Sequence, residues 1–359
     1  MAKKNDQAKE YIWGKRKSKK WVIIIIVAVV AIIGILSYVI FGLNLNKDTK
    51  ATPGTISNSQ QALTRRALDG VYVPHDQANH HPVAVMIENL VSSRPPSGLS
   101  KANLVYEALA EGGITRFMAL YSGEMVTIPE IGPVRSARSY YLDWALEFGA
   151  LYVHVGGSPQ SFTDIKKYDV FDLNQFYNAQ YFWRDSERPA PHNLYTSGEL
   201  LAYALRDNEA AETGDYTSWQ FKDEAKLSER PAGEKNIIID FSSFNYKVEY
   251  KYDREKNDYL RYQAGEIHKD KDESEIRAKN VVVQKVKTYL IDQERLGMET
   301  MAEGEALIFR DGQVIEGRWE KKSREERTFF YDQGGDEIEF NAGVTWIEIV
   351  PTDRDIVYD

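Results

Sequence analysis

The stretch IGPVRSARSYYLDWALEFGALYVHVGGSP (131–159) decides how the rest of the chain is interpreted, because it predicts a turn, a helix, a strand and a second helix start in succession. The Gly-Pro dipeptide at 132–133 is typical of a turn. A helix is predicted from about Ser136 to Phe148, where Gly149 provides a stop signal.

The second half of this stretch predicts a strand followed by a further helix. Residues 151–155 form a short apolar run that is typical of a buried strand. Gly156-Gly157 turns the chain, and Ser158 before Pro159 combines two helix start signals. Backbone N–H groups in such a turn can bind an anion. A tight turn with an N-cap explains the same residues, and both interpretations stay open.

Two arginines stand at the start of the first predicted helix. Arg135 and Arg138 are three residues apart, so we expect them on one helix face. A helix N-terminus already carries a partial positive charge, and each cation there costs roughly 0.3–1 kcal/mol. A negative group must therefore lie nearby. It is either an anionic ligand or a carboxylate of the protein, such as Glu107, Glu111 or Asp143.

Composition limits the classes of function. The chain has 359 residues, 43% of them hydrophobic, enough for one or two domains with a core. It has no cysteine, which excludes disulfides, thiol chemistry and lipid attachment through a cysteine. The net charge is −9, although basic residues are concentrated in residues 1–20. An acidic body does not attract nucleic acid, so no nucleic-acid partner is expected.

The uncharged segment 21–43, which begins at Trp21 and ends at Leu43, predicts a transmembrane anchor. As a helix it extends about 35 Å at 1.5 Å per residue, enough for a hydrocarbon core of about 30 Å. It is longer than the apolar core of a usual cleaved signal peptide. The flanking basic residues predict that 1–20 is a cytoplasmic tail and that the body is extracytoplasmic. Residues 44–70 are predicted to form a linker.

Two folded regions are predicted after the linker. In residues 71–215, strands and helices alternate, which indicates an α/β domain with a mixed sheet. Residues 236–359 indicate a β-rich domain, with a hairpin at Asp311-Gly312. In the first region, strands are predicted at 82–88, 114–121 and 151–155, and helices at 100–111, 136–148, 159–167 and 199–206.

The longest motifs resemble the YerB-like family of bacterial lipoproteins, a domain of unknown function in two parts. They are SGLSKANLVYEALAEGGITRFMALY (97–121), IGPVRSARSYYLDWA (131–145), HVGGSP (154–159), HNLYT (192–196), NVVVQ (280–284) and GVTWIEIVP (343–351). The resemblance implies an extracytoplasmic bacterial protein with an α/β part and a β-rich part. It implies no established reaction. The predicted transmembrane helix replaces the lipid-modified cysteine of lipoprotein members.

His154, His192 and Glu111 are the predicted catalytic residues. His154 lies at the end of a predicted strand, where open α/β sheets bind ligands. Imidazole groups titrate near neutral pH and can act as general acid or base. Glu107 and Glu111 are four apart in a predicted helix, so we expect them to share a face. Structural hydrogen bonds or pairing with arginine explain each of these residues equally well.

Arg116 completes the predicted ligand-binding set, although an ion pair is its expected role. The sequence has no HExxH motif and no familiar metal-ligand spacing, so neither a metal nor a cofactor is predicted. A GxSxG nucleophile elbow is also missing from the sequence. The full predicted ligand-binding set is Arg135, Arg138, Gly156, Gly157, Ser158, Arg116 and Glu107.

Three hypotheses follow from these residues. In the first, the α/β domain binds an anionic component of the cell envelope, such as a phosphorylated glycan or a lipid-linked precursor. In the second, it is a hydrolase or transferase on a phosphorylated envelope substrate. In the third, it is a structural partner of another envelope protein, and the arginines only stabilise the fold. The sequence favours the first and third over catalysis.

Overall fold

The structure, a computed structural model, describes residues 63–293 and 295–359. The described part contains three α-helices: α1 (Ser139–Leu146), α2 (Pro159–Lys167) and α3 (Gly198–Asp207). Its first strands are β1 (Leu63–Arg65), β2 (Tyr72–Pro74), β3 (Val83–Glu88), β4 (Leu104–Leu109), β5 (Thr115–Tyr121), β6 (Leu151–His154), β7 (Asp172–Asn174), β8 (Trp183–Arg184) and β9 (Leu194–Tyr195). The later strands are β10 (Phe221–Lys222), β11 (Asn236–Asp240), β12 (Lys247–Asp253), β13 (Asp258–Gln263), β14 (Glu266–Ile267), β15 (Arg277–Ala278), β16 (Asn280–Val286), β17 (Thr288–Leu290), β18 (Leu296–Met298), β19 (Glu303–Arg310), β20 (Gln313–Glu320), β21 (Phe329–Asp332), β22 (Phe340–Asn341), β23 (Thr345–Pro351) and β24 (Ile356–Tyr358).

A large mixed sheet of ten strands forms the centre of the described part, in the order β21-β20-β19-β16-β23-β4-β5-β3-β6-β7. Its first five strands come from the predicted β-rich region and its last five from the predicted α/β region. They meet where β23 pairs in parallel with β4, with Thr345 opposite Leu104. Residues 61–359 are one compact unit.

A second sheet, in the order β14-β13-β12-β11-β24 with β15 beside β13, covers one face of the large sheet. Tyr250 of β12 contacts Trp346 of β23 edge to face, with ring centroids 6.4 Å apart. Tyr250 and Tyr259 are buried in this contact region. The alternation of buried and exposed residues in β12 and β13 matches a sheet with one solvated face.

The predicted stretch 131–159 is confirmed in outline, with one difference at the first helix. The strand and the second helix lie where they were predicted, and Ser158 Oγ accepts a hydrogen bond from Ser161 N. Helix α1 is shorter than predicted. It begins at Ser139, so Arg138 is its N-cap residue and Arg135 lies before the helix. The two arginines therefore do not share a helix face.

The predicted helix 100–111 is wrong, because residues 104–109 form strand β4 in the middle of the large sheet. All six residues of this strand are buried, since both sheet faces are covered. A strand buried on both faces lacks the polar alternation that distinguishes it from a helix. Glu107 and Glu111 consequently lie on a strand and in the turn after it.

Some predictions lie outside the described residues. They are the cytoplasmic tail 1–20, the anchor 21–43 and most of the linker 44–70. Within residues 63–293 and 295–359, none of the helices has the length and apolar character needed to cross a bilayer.

A buried charged cluster joins the two sheets. Glu107 of β4 and Glu348 of β23 are partners in adjacent parallel strands. Arg261 of β13 is fully buried, donates to Glu107, and places its Nε 3.8 Å from Glu348 Oε1. Tyr250 OH donates to the same Glu348 oxygen at 2.5 Å. Burial, and after it the charge of Glu107, raises the pKa of Glu348 well above its ordinary value.

We expect Glu348→Gln to stabilise the protein at pH 8. Because the pKa of Glu348 is raised in the folded protein, its protonated carboxyl contributes fully to the free energy of unfolding below about pH 4.5, the ordinary pKa of a glutamate. That contribution is lost as the pH rises through the pKa of the folded state. The gain over the wild type should therefore shrink on acidification from pH 8 to pH 5. Urea unfolding at both pH values measures it.

The matched control is Glu107→Gln on the neighbouring strand. It leaves Arg261 buried without its closest counter-ion, and we expect a loss of up to about 3 kcal/mol, since Glu348 replaces that partner only in part. Equal destabilisation by both variants at pH 8 would mean that Glu348 is ionised in the folded protein.

A second buried ion pair attaches the loop after β20 to the end of α1. Lys321 Nζ lies 3.2 Å from Glu147 Oε1, and both side chains are fully buried. Thr328 donates to the same carboxylate through N at 3.0 Å and Oγ1 at 2.6 Å. Arg327 lies between the rings of Phe148 and Trp219, at 4.0 Å and 4.2 Å from their centroids.

Replacing Lys321 with Met is expected to lower the free energy of unfolding by about 3 kcal/mol, because it leaves Glu147 buried without its cation. Lys322→Met is the control, since Lys322 is exposed and pairs with Glu320 at 3.3 Å on the surface. Its effect should stay within about 0.5 kcal/mol. Denaturant titrations of both variants provide the comparison, and similar losses would contradict the assignment.

Candidate functional site

The predicted site residues meet at one edge of the large sheet, which we call the carboxyl edge. Strands β3, β4, β6 and β7 run in one direction, so their carboxyl ends lie together beside the start of the antiparallel β5. Glu88 ends β3, Glu111 follows β4, Arg116 lies near the start of β5 and His154 ends β6. This is the edge at which open α/β sheets bind ligands.

Arg138 pairs with Glu111 in a two-point contact at this edge. Its Nη2 donates to Glu111 Oε2 at 2.6 Å, its Nε donates to Oε1, and its Nη1 donates to the carbonyl of Ala137 at 2.7 Å. Burial alone would raise the pKa of Glu111, but the hydrogen bonds and charge of Arg138, with the charge of Arg116, hold that pKa below its ordinary value. Glu111 is therefore ionised at neutral pH and is not a general acid in this state.

Arg135 and His192 both face the buried carboxylate of Glu88. Arg135 Nε lies 2.5 Å and His192 Nδ1 lies 3.3 Å from Glu88 Oε2. Among the described groups, neither nitrogen has a partner with hydrogen-bond alignment. The other oxygen of Glu88 accepts from the backbone N–H groups of Asn89 and Leu90 at 3.2 and 3.3 Å.

Arg116 adds a third guanidinium group to the carboxyl edge. Its side chain is almost fully buried, donates through Nη1 to Ser136 O at 3.0 Å, and places Nη2 4.0 Å from Glu111 Oε2. Its Nε has no hydrogen-bond partner among the described residues. Burial, and then the charge of Arg138, lowers its pKa. At the described carboxyl edge, three arginines thus face the two carboxylates of Glu88 and Glu111, which leaves one positive charge.

His154 is enclosed rather than presented to a ligand. It is fully buried, with Nδ1 2.7 Å from Gly156 O and Nε2 3.0 Å from Asp172 Oδ2. Both ring nitrogens hold neighbouring segments in place, so this geometry gives no support to the predicted catalytic role. Gly156 has φ +62°, a conformation that favours glycine, and its N–H donates to Asn174 Oδ1 at 3.2 Å.

Glu107 does not reach any open part of the carboxyl edge. Its carboxylate is fully buried and accepts from Arg261, from Asn89 Nδ2 at 3.3 Å and from Thr115 Oγ1 at 2.5 Å. The expected helix face, which would have placed it beside Glu111, does not exist because this segment is a strand.

A cleft of about 830 Å³ opens between the two helix starts and the β17–β18 hairpin. Arg138 and Ser139 line it from the start of α1, and Ser158 and Gln160 line it from the start of α2. Neither first turn contains an acidic residue, and no described side chain caps α1. Both positive helix ends therefore contribute to the potential of the cleft.

Sequence reasoning missed the opposite wall of this cleft. The hairpin contributes Tyr289, Leu290 and Met298, and Lys167 and Arg324 also line the cleft. The apolar run 289–291 was the available signal, since such residues are rarely exposed together.

A second cleft, of about 870 Å³, lies at the other edge of the sheet, beside Asn103 and Tyr121. Of the described residues that line it, none belongs to the predicted site. Three cations and four carboxylates of the described part line it: Arg66, Lys101 and Lys271 against Glu124, Glu130, Asp270 and Asp272. Arg66 is paired with Asp69 at 2.6 Å, and Lys271 lies 3.4 Å from Glu130. This cleft is therefore a poorer candidate for an anion.

Comparison with known proteins supports the resemblance of the sequence motifs. A family model described as "Protein of unknown function (DUF3048) N-terminal domain" matches residues 68–211, and the model of the C-terminal domain of the same family matches residues 237–347. A relative from Bacillus subtilis (strain 168), named "Putative lipoprotein YerB", is 32% identical over 326 residues, which cover 88% of this chain and 93% of the relative.

The fold also matches a solved structure. The crystal structure of the YerB protein from Bacillus subtilis has a TM-score of 0.73 and 31% sequence identity to this chain, and the match covers 82% of this chain and 99% of that one. A mixed, sheet-rich architecture with few helices is thus common to both. The chain therefore belongs to the YerB-like family, the family of unknown function that the two DUF3048 domain models describe.

Proposed function

We propose that this protein is a membrane-anchored, extracytoplasmic binding protein that takes an anionic group of the cell envelope at the carboxyl edge. The uncharged segment 21–43 and the basic residues before it support the anchor and its orientation. The name of the Bacillus subtilis relative supports an envelope location.

The observation that carries the proposal is the convergence of positive potential on one open cleft. Arg138 lines the cleft beside the starts of α1 and α2. The described first turns of both helices lack acidic residues. Arg138 keeps one N–H on Nη1 and one on Nη2 after its contacts with Glu111 and Ala137, so it can still donate to an oxyanion.

The residues give less support to catalysis than to binding. His154 is enclosed, and Glu111 is held ionised by Arg138. His192 beside Glu88 is the remaining arrangement suited to a general base, but it does not line the cleft. Binding without turnover therefore accounts for the geometry with fewer assumptions.

The competing function is a scaffold without ligand. Its support is that Arg135 and Arg138 each have a carboxylate of the protein as partner. Both functions predict that breaking these pairs lowers the melting temperature. They differ in whether the protein binds an added anion: a binding protein does, and a scaffold does not.

We expect the unit 61–359 to bind inorganic phosphate in the millimolar range. Arg138→Gln should weaken that binding by about tenfold or more, because a charge-assisted hydrogen bond is lost. Glu111→Gln should strengthen it by several fold, because the competing carboxylate is neutralised. Isothermal calorimetry on the two variants separates these opposite effects, although both variants break the same ion pair.

The control is Arg318→Gln, since Arg318 pairs with Glu320 at 2.8 Å on a distant strand. This variant should bind phosphate like the wild type. If neither the wild type nor Glu111→Gln binds phosphate, the ligand site is rejected and the scaffold function remains.

A further inference from the structure

We infer that the cleft takes an amphiphilic phosphate, with the phosphate at Arg138 and the helix starts and a hydrocarbon chain along the β17–β18 hairpin. The position of the phosphate rests on the proposed function. The position of the hydrocarbon chain rests on a separate observation, the exposed apolar residues of the hairpin. The ligand class is that of a lipid phosphate.

The polar end of the cleft has further cations beyond Arg138. Lys167, at the end of α2, is exposed and forms no salt bridge with the described residues. Arg324 stacks on the ring of Tyr168, with its guanidinium carbon 4.1 Å from the ring centroid. An anion that enters this end therefore meets Lys167 as well as Arg138 and Arg324, which are each paired with a carboxylate of the protein.

Each carboxylate that lines the cleft already has a salt-bridge or hydrogen-bond partner in the protein. Asp143 pairs with Arg324 and accepts a hydrogen bond from Thr300 Oγ1. Asp164 accepts from Gln160 Nε2 at 2.9 Å. Glu299 pairs with Lys287 at 2.7 Å. Each acid thus has a donor that reduces its repulsion of an anion.

The hairpin wall is apolar and exposed. Leu290 is 68% exposed, Tyr289 and Ile291 are each 50% exposed, and Met301 is 45% exposed. The hairpin pairs β17 only with β18, so neither strand belongs to either of the larger described sheets. Contiguous apolar residues at the surface of a soluble unit are uncommon and mark binding surfaces.

The size and layout of the cleft fit one amphiphile. About 830 Å³ lies within the range of small-molecule sites. Thr300 ties the segment after β18 to Asp143 of α1, which holds the apolar wall against the polar one. A charged head and a hydrocarbon tail match these two walls, whereas inorganic phosphate leaves the apolar wall uncovered and a neutral amphiphile brings no negative charge to Lys167 and Arg138.

The test compares three ligands on the unit 61–359: octyl phosphate, inorganic phosphate and octyl glucoside. The two amphiphiles are kept below their critical micelle concentrations. We expect octyl phosphate to bind at least tenfold more tightly than inorganic phosphate, since each buried methylene contributes up to about fourfold. Octyl glucoside has the same chain without the charge and should bind more weakly than octyl phosphate.

Substitutions in the hairpin test whether it provides the additional affinity for octyl phosphate over inorganic phosphate. The double variant Leu290→Ser, Ile291→Ser should reduce the affinity for octyl phosphate toward that for inorganic phosphate and leave the latter unchanged. The control is Val357→Ser, an equally exposed apolar residue on β24 of the second sheet, which should change neither affinity. Because all three positions are exposed, the melting temperatures should stay close to that of the wild type.

Each other result has a defined meaning. If octyl phosphate binds no more tightly than inorganic phosphate, or if the hairpin variants bind it normally, this inference fails and the proposed anion site stands. If octyl glucoside binds as tightly as octyl phosphate, the hairpin is a general apolar surface, such as one for a protein partner, and the inference fails. If none of the ligands binds, the proposed function fails with it.

Discussion

The parallel pairing of β4 with β23 is the constraint on which the rest of the structure depends. It joins the two halves of the large sheet, and it places Glu107 beside Glu348 in register. Two carboxylates side by side in a dry interior cannot both be charged without a cation, and Arg261 supplies one from the second sheet. The position of the second sheet, the raised pKa of Glu348 and the direction of the strands that form the carboxyl edge all follow from this one pairing.

The arginines at the carboxyl edge differ in how closely they are paired with carboxylates. Arg135 and Arg138 have separate carboxylate partners, whereas Arg116 is buried with only a 4.0 Å contact to Glu111. The three arginines outnumber the carboxylates of Glu88 and Glu111 by one, and the surplus charge is that of the buried Arg116. Arg138, although paired with Glu111, borders the open cleft. The same ion pair thus orients the guanidinium and limits how strongly it attracts anions.

Local signals in the sequence predicted local structure well. The Ser158-Pro159 start, the strand 82–88 and the Asp311-Gly312 hairpin lie where their patterns indicated. Strand β4 was taken for a helix because its two covered faces remove the alternation that marks a strand. Arg261 and the hairpin wall could not be found from motifs, because their roles depend on pairings between residues far apart in the sequence. The sequence named the residues of the carboxyl edge one by one, but their partners required the fold.

The central position of β23 also affects how the protein can be made. Its neighbours β4 and β16 both precede it in the chain, so each presents a row of unpaired backbone groups until residues 345–351 arrive. Closing so long a loop is slow, and the open edges invite pairing with other chains in the meantime. A polypeptide that emerges from its N-terminal end therefore cannot complete this sheet piece by piece. The two halves of the sheet can join only when nearly the whole chain is present.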